Sequence, residues 1–145
     1  MLKVINKILV PTDGSEYSKH ALAAALQYAE QYQSKIKLIH VVHQPISSMT
    51  VSAEIYSFSL TEEQINEIGN TIMEKTLVGN DISKVSIEKE ISEGYPATVI
   101  LDEIKEGIDL VVMGTSGHGP LAGALIGSVT QRVLADATCP VLIVK

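Results

Sequence analysis

Glycines and residues with a hydroxyl side chain cluster in one stretch near the C-terminal end of the chain. Residues 114–120 have the sequence G-T-S-G-H-G-P, and residues 127–130, G-S-V-T, are predicted to begin a helix. Glycine lets the backbone approach a bulky anion closely, and the free N–H groups at a helix start attract phosphate. The Ser128 hydroxyl could bond a phosphate oxygen or a metal-bound water. The stretch therefore predicts a phosphate-binding loop, with Gly119 and Thr130 as further candidate contacts. His118 is either a phosphate contact or a solvated loop residue.

Other interpretations of this loop can be tested against its spacing. The pattern G-x4-G-K-[ST] is absent, because no lysine precedes Ser128. Residues 117–122 match G-x-G-x-x-A, but they follow the fourth predicted strand and no acidic residue ends the next strand, so we reject a dinucleotide site. A glycine-rich loop is also often a flexible connection, with Ser128 acting only as a helix cap. That last interpretation stays open on the composition of the loop alone.

An acidic residue follows the first predicted strand. The apolar segment Lys7–Val10 is stopped by P-T-D-G at residues 11–14. A carboxylate at the end of a strand can accept hydrogen bonds from ribose hydroxyls, and aspartate is also a common turn residue before glycine. Asp13 is therefore either a ligand contact or a turn residue.

Catalytic and metal-binding groups are not apparent in the sequence. The spacing of the four histidines suits no familiar metal motif. No lysine or arginine joins the glycine loop, so efficient phosphoryl transfer lacks its usual parts. We expect no catalytic residue and no metal held by protein ligands, although slow hydrolysis of a bound nucleotide is compatible with the sequence.

Length and composition limit the class of protein. The 145 residues suit one domain, and 46% hydrophobic residues can supply its core. A net charge of −6 and no basic run argue against nucleic acid as a partner. The lone Cys139 fits a reducing compartment, and no stretch approaches the ~20 apolar residues of a membrane span. We expect a soluble, cytoplasmic protein that does not enter a membrane.

Strand-like and helix-like segments alternate along the chain, which implies parallel strands with helices on both faces. The predicted strands are Lys7–Val10, Ile36–His43, Val85–Ser92, Asp109–Gly114 and Val141–Val144. Charged residues 88–90 place the third strand at an edge, which favours the order 3-2-1-4-5 over 2-1-3-4-5. We therefore predict an α/β fold with an open, doubly wound, five-stranded parallel sheet of order 3-2-1-4-5. Ligands bind such a sheet where the winding reverses, here between strands one and four.

The helices between these strands have recognisable starts and apolar faces. One is predicted from about Ser15 to Gln33 and a second from the capping-box sequence T-E-E-Q at residues 61–64. The second helix is expected to bury Ile65, Ile68, Ile72 and Met73. Residues 44–60 form the one long connection of uncertain structure.

The full spacing of the loop is more specific than any part of it. Gly114, Gly117 and Gly127-Ser128 match G-x2-G-x9-G-[ST], which resembles the ATP-loop signature of the universal stress protein family. The resemblance extends along the chain through K-I-L-V-P-T-D-G-S-E at 7–16, H-V-V at 40–42, D-L-V-V-M-G-T-S-G-H-G at 109–119, G-S-V at 127–129 and C-P-V-L-I-V-K at the end.

The resemblance implies a set of nucleotide contacts by position. It assigns the phosphates to Gly117, Gly127, Ser128 and Val129. It places Met113 and Gly114 near the ribose, Pro11, Thr12 and Asp13 beside the ribose and adenine, and Val41 at the adenine.

The resemblance also implies a function. Family members that keep this loop bind ATP, often with Mg²⁺ or Mn²⁺ held mainly through the phosphates. We therefore expect an ATP-binding regulatory or stress-response protein, with AMP, ADP or a cyclic nucleotide left open as the physiological ligand. The alternatives are a slow ATP hydrolase and a stress protein that acts by protein contacts without nucleotide.

The last predicted strand indicates how the chain assembles. In the order 3-2-1-4-5 the wholly apolar Val141–Val144 is an edge, and an uncovered apolar edge invites pairing with another chain. The family resemblance implies the same, since many members dimerise through this strand. We expect a homodimer, unless the flanking helices cover the strand within the monomer.

Overall fold

The computed structural model describes residues 4–43, 60–117 and 125–145. The predicted contacts His118 and Gly119 lie outside the described residues, as does the long connection except for Leu60. Strands and helices alternate in the order β1 (Lys7–Pro11), α1 (Glu16–Tyr32), β2 (Lys35–His43), α2 (Glu62–Leu77), β3 (Ile87–Gly94), α3 (Pro96–Lys105), β4 (Leu110–Gly114), α4 (Ser128–Asp136) and β5 (Val141–Val144).

The five strands form one parallel sheet of order β3-β2-β1-β4-β5, which confirms the predicted topology. The central strand β1 pairs on one side with β2, where Ile8 is opposite Ile36, and on the other side with β4, where Ile8 is opposite Leu110. The charged residues of β3 lie at an edge of the sheet, as expected. This strand begins at Ile87 and not at Val85, because the Val85 N–H bonds the Ile82 carbonyl in a preceding turn.

Helices cover both faces of the sheet, as predicted. Alternate residues of β1 face opposite sides: Ile8 and Val10 pack with α1 and with Met73 of α2, whereas Leu9 packs with α3 and α4. All three β1 residues are fully buried. A strand that is apolar on both faces is typical of the middle of a parallel sheet, and here it fixes the positions of the loops that follow it.

Local sequence accounts for the starts of the helices. The Ser15 hydroxyl accepts a hydrogen bond from the Ser18 N–H at the start of α1. Thr61 and Gln64 form the reciprocal capping box that the sequence predicts for α2. Helix α3 has Pro96 in its first turn, where a missing N–H does not disrupt the helix.

One charged side chain is buried within the α3 side of the sheet. The Nζ atom of Lys37 on β2 lies 2.8 Å from a carboxylate oxygen of Glu103 and 2.9 Å from one of Glu90. Burial alone would lower the Lys37 pKa, but the hydrogen bond to Glu103 and the negative charge of both carboxylates outweigh it, so that the pKa is raised above its ordinary value. The ammonium group therefore links β2, β3 and α3.

Within the described ranges, no helix is both long enough and apolar enough to cross a membrane.

Candidate functional site

A cavity of about 390 Å³ lies at the carboxyl ends of the strands, where the winding of the sheet reverses between β1 and β4. Its volume is within the range of small-molecule sites. Every predicted contact that the structure describes lines this cavity: Pro11, Thr12, Asp13, Val41, Met113, Gly114, Gly117, Gly127, Ser128, Val129 and Thr130. Residues far apart in the sequence are brought together because the carboxyl ends of parallel strands share one edge.

The loop after β1 fixes the Asp13 carboxylate. Its Oδ1 atom accepts hydrogen bonds from the Ser15 N–H (3.0 Å) and the Ser18 hydroxyl (2.9 Å). Gly14 has a φ of +80°, which L-residues rarely adopt, and allows this tight turn. Asp13 is thus a turn residue and also a cavity-lining acid, so the two interpretations of its role are compatible.

The same loop is anchored to α2 through a buried hydrogen bond. The hydroxyls of Thr12 and Thr76 lie 2.7 Å apart, and the Thr76 hydroxyl also donates to the Ile72 carbonyl (2.7 Å). Thr76 is fully buried. The position of the Asp13 loop therefore depends on the packing of α2.

The glycines of the second loop permit close packing around the cavity. A Cβ atom on Gly114 would lie 2.7 Å from Tyr17 Cβ, so the absence of a side chain lets β4 approach α1. A Cβ atom on Gly117 would overlap the Asp13 carboxylate. Gly114 and Gly117 therefore have steric roles within the protein in addition to lining the cavity.

Helix α4 begins at the cavity with its first turn uncapped by a side chain. Gly127 occupies the N-cap position, and its own N–H donates to the Thr115 carbonyl (2.7 Å). The Thr130 hydroxyl donates to the Gly114 carbonyl (3.0 Å), so it positions the helix against β4. Because an N-terminal helix turn has backbone N–H groups without intrahelical partners, this end of the cavity is suited to an anion.

The other part of the cavity is apolar. Ile39, Val41, Ile100 and Met113 line it, and each is at least nine-tenths buried. An apolar surface beside a polar, anion-attracting loop suits a ligand with a flat hydrophobic group joined to a negatively charged one.

Sequence reasoning missed several cavity residues. Ile68 was predicted to be buried in the core, but that was wrong: it is 39% exposed and lines the cavity, whereas Met73 one and a half turns later is buried. His40 also lines the cavity, and its Nδ1 atom donates to the Thr12 carbonyl (2.7 Å). Ser116, next to the predicted Gly117, has a buried hydroxyl at the same place. The H-V-V sequence at 40–42 and the glycine loop were the only signals for His40 and Ser116.

Three ionisable side chains line the cavity in the described part of the chain. Asp13 is the one carboxylate among the described residues that line it, and His40 and His43 are the other two ionisable side chains there. In the described part of the chain, no three His, Cys, Asp or Glu side chains lie close enough together to hold a metal ion.

Comparison with known proteins identifies the family. The profile of the universal stress protein family matches residues 5–145. The chain belongs to the universal stress protein family. A universal stress protein of Methanocaldococcus jannaschii is 36% identical over 140 residues, covering 96% of this chain and 81% of the relative. The universal stress protein YxiE of Bacillus subtilis is 34% identical over 150 residues, covering 98% of this chain and all of the relative.

Solved structures of universal stress proteins share the fold. A second Methanocaldococcus jannaschii member has a TM-score of 0.72 at 28% identity, covering 99% of this chain and 97% of that one. A universal stress protein in complex with cAMP has a TM-score of 0.67 at 24% identity, covering 99% of this chain and 98% of that one. A member from Archaeoglobus fulgidus in complex with dAMP has a TM-score of 0.59 at 18% identity, covering 99% of this chain and all of that one. Some structural neighbours in the family therefore bind adenine nucleotides.

Proposed function

We propose that this universal stress protein binds ATP in the cavity between β1 and β4 and acts as a nucleotide-responsive regulatory protein. One observation carries the proposal: the uncapped start of α4 faces the same cavity as Asp13 and an apolar surface. These three features suit the three parts of a nucleotide.

The phosphates are assigned to the start of α4. The N–H groups of its first turn and the positive end of its dipole favour negative charge, typically by about 0.3–1 kcal/mol for each anion contact. Gly117, Gly127, Ser128 and Val129 line this end of the cavity. Ser128 is exposed, so its hydroxyl can reach a phosphate oxygen or a water bound to a metal.

The nucleoside is assigned to the loop after β1 and to the apolar surface. The Asp13 carboxylate can accept hydrogen bonds from ribose hydroxyls, and its Oδ1 atom is already oriented by Ser15 and Ser18. Val41 and Met113 offer apolar contact for the adenine ring. The cAMP and dAMP complexes of structural neighbours support an adenine nucleotide as the class of ligand.

A divalent ion fits this proposal as part of the ligand. With a single carboxylate among the lining residues that the structure describes, the protein would hold Mg²⁺ or Mn²⁺ mainly through the phosphates of ATP. The ion would neutralise phosphate charge in a chain whose net charge is −6. The residues of this chain would orient the phosphates and exclude water from the apolar part of the cavity.

Regulation is proposed in place of dedicated catalysis. No lysine or arginine lines the cavity in the described ranges, so the charge that develops in phosphoryl transfer has no cationic side chain beside it. We propose that the protein works in the cytoplasm, because a lone cysteine is typical of a reducing compartment. Slow hydrolysis is the alternative that a turnover assay would detect.

Assembly through β5 completes the proposal. This strand is an edge of the sheet, and all four of its apolar residues are only partly buried. We propose that it pairs antiparallel with the same strand of a second copy, a self-complementary contact about a two-fold axis.

Calorimetric titration with ATP, ADP, AMP, cAMP and adenosine tests the proposed ligand. With Mg²⁺ present, we expect ATP to bind and affinity to fall as phosphates are removed, because each lost phosphate removes a contact at α4. Mass spectrometry of the small molecules released on denaturation checks which nucleotide copurifies. Binding of AMP or cAMP in preference to ATP would replace the proposed ligand, and failure of every nucleotide to bind would leave a protein that acts by contacts alone.

A further inference from the structure

Ser116 is the one cavity-lining residue in the described ranges whose hydroxyl oxygen is both buried and without a hydrogen-bond partner. The residue is 8% exposed and lies two positions after Gly114, the last residue of β4. Other buried hydroxyls at the cavity are paired, those of Thr12 with Thr76 and of Thr130 with the Gly114 carbonyl. Ser116 therefore differs from its neighbours in having an unused polar group.

A buried hydroxyl without a partner is unfavourable in the ligand-free protein. It has given up its hydrogen bonds to water and gained none in return, which is why buried polar atoms are nearly always paired. An unpaired group that lines a binding cavity can gain its partner from the ligand. The chemistry of that ligand follows from what else surrounds the hydroxyl.

The surroundings of Ser116 are the start of α4. A Cβ atom built on the N-cap residue Gly127 would lie 3.4 Å from Ser116 Cα and 3.8 Å from Ser116 Oγ. Gly127 has no side chain, so no N-cap group occupies the space between the hydroxyl and the first turn of the helix. Rotation about the Ser116 Cα–Cβ bond can aim the hydroxyl at a group bound there.

We propose that Ser116 is a further phosphate-binding residue, whose hydroxyl donates a hydrogen bond to the phosphate group held by the N–H groups at the start of α4. The inference rests on the proposed function, and it adds a contact that the glycine pattern does not assign. It explains why a polar atom is buried unpaired at this position: its partner is an oxygen of the ligand. A hydrogen bond to a charged oxygen is stronger than one to a neutral acceptor.

The test compares Ser116→Ala with the parent protein by titration with Mg²⁺–ATP and with adenosine. We expect ATP affinity to fall about ten- to one hundred-fold, the range for loss of a hydrogen bond to a charged group. Adenosine affinity should not change, because adenosine has no phosphate. The unfolding temperature without ligand should not fall, since the variant loses an unpaired hydroxyl. Thr115→Val is the matched control: it removes the neighbouring buried hydroxyl, which does not line the cavity, and should leave ATP affinity unchanged.

The outcomes separate this inference from the proposed function. Equal ATP affinity in Ser116→Ala and parent would overturn the inference and leave ATP binding intact, and so would an equal loss for ATP and adenosine. If the parent binds no ATP, the proposed function fails and titration with inorganic tripolyphosphate decides the inference. If the parent binds tripolyphosphate and Ser116→Ala binds it more weakly, the result would support a phosphate site at Ser116. If the parent does not bind tripolyphosphate, the inference is overturned.

Discussion

Replacing Gly127 with aspartate should make the ligand-free protein slightly more stable while it removes nucleotide binding. Gly127 has φ −71° and ψ 163°, angles that any L-residue adopts. A Cβ atom there would meet Ser116 Cα at 3.4 Å and the Thr115 carbonyl oxygen at 3.7 Å, which are ordinary contacts. The backbone therefore accepts the new side chain without rearrangement.

The gain in stability follows from helix capping. Aspartate at an N-cap is better than glycine by a few tenths of a kcal/mol, and its charge gains about 0.3–1 kcal/mol from the helix dipole. The free energy of unfolding should rise by roughly 0.5–1 kcal/mol, which raises the unfolding temperature by about 1–4 °C.

The loss of binding follows from charge and position. The new carboxylate takes the N–H groups proposed for phosphate. It also places a negative charge about 4 Å from the phosphates, which gives a repulsion of about 4 kcal/mol at an effective dielectric constant of ~20. That energy corresponds to a roughly thousand-fold loss of ATP affinity.

Calorimetric titration measures the affinity, and a thermal scan without ligand measures the stability. Gly127→Asn is the matched control, because it has the same shape and capping ability without the charge; it should weaken ATP binding less than Gly127→Asp. An aspartate variant that binds ATP like the parent would refute the assignment of phosphate to α4. A variant that unfolds well below the parent would show that the N-cap is not placed as described.

Three further predictions concern the packing of the fold and the assembly of the chain. Thr76→Val should lower the free energy of unfolding by about 1–3 kcal/mol, because it leaves the buried Thr12 hydroxyl without this partner; urea denaturation measures it, and an unchanged midpoint would contradict it. Lys37→Met should lower the free energy of unfolding by about 2–3 kcal/mol, because it leaves two partly buried carboxylates unpaired. The Lys37 pKa is raised in the folded state, so this group's contribution to the free energy of unfolding is fully present below the ordinary lysine pKa of about 10.4 and is lost only as the pH rises above it. Measuring the free energy of unfolding of the parent protein against pH should therefore show no loss from Lys37 near neutrality. Leu142→Lys with Ile143→Lys should shift the mass seen by light scattering from dimer to monomer, with circular dichroism as the check on folding; a parent that is monomeric at micromolar concentration would end the proposal of a β5 dimer.

Sequence patterns were sufficient for the topology because strands and helices alternate along the chain and one strand is charged where the others are mainly apolar. The charged residues Glu88, Lys89 and Glu90 placed β3 at an edge, and the structure confirms that order. The parallel arrangement then brings the Asp13 loop and the glycine loop to one cavity, since both follow neighbouring strands. Spacing along the chain thus predicted which segments meet.

Side-chain environment could not be predicted in the same way. The apolar periodicity of α2 predicted a buried Ile68, but this residue lies at the cavity and is partly exposed there. The hydrogen bond from His40 to the Thr12 carbonyl joins two strand ends, and no local pattern encodes it. The unpaired state of Ser116 depends on what surrounds its hydroxyl in three dimensions, so its sequence position beside Gly117 gave no sign of it.

A thermal unfolding scan of the parent protein with and without Mg²⁺–ATP tests the central claim most directly. A ligand present at one hundred times its Kd adds about 2.7 kcal/mol to the free energy of unfolding. For a chain of 145 residues this is a rise of roughly 5–11 °C in the unfolding temperature, at about 2–4 °C per kcal/mol. We predict a rise of that size with ATP and a smaller one with adenosine at the same concentration. An unfolding temperature that does not move at saturating ATP would contradict the assignment of this cavity to a nucleotide.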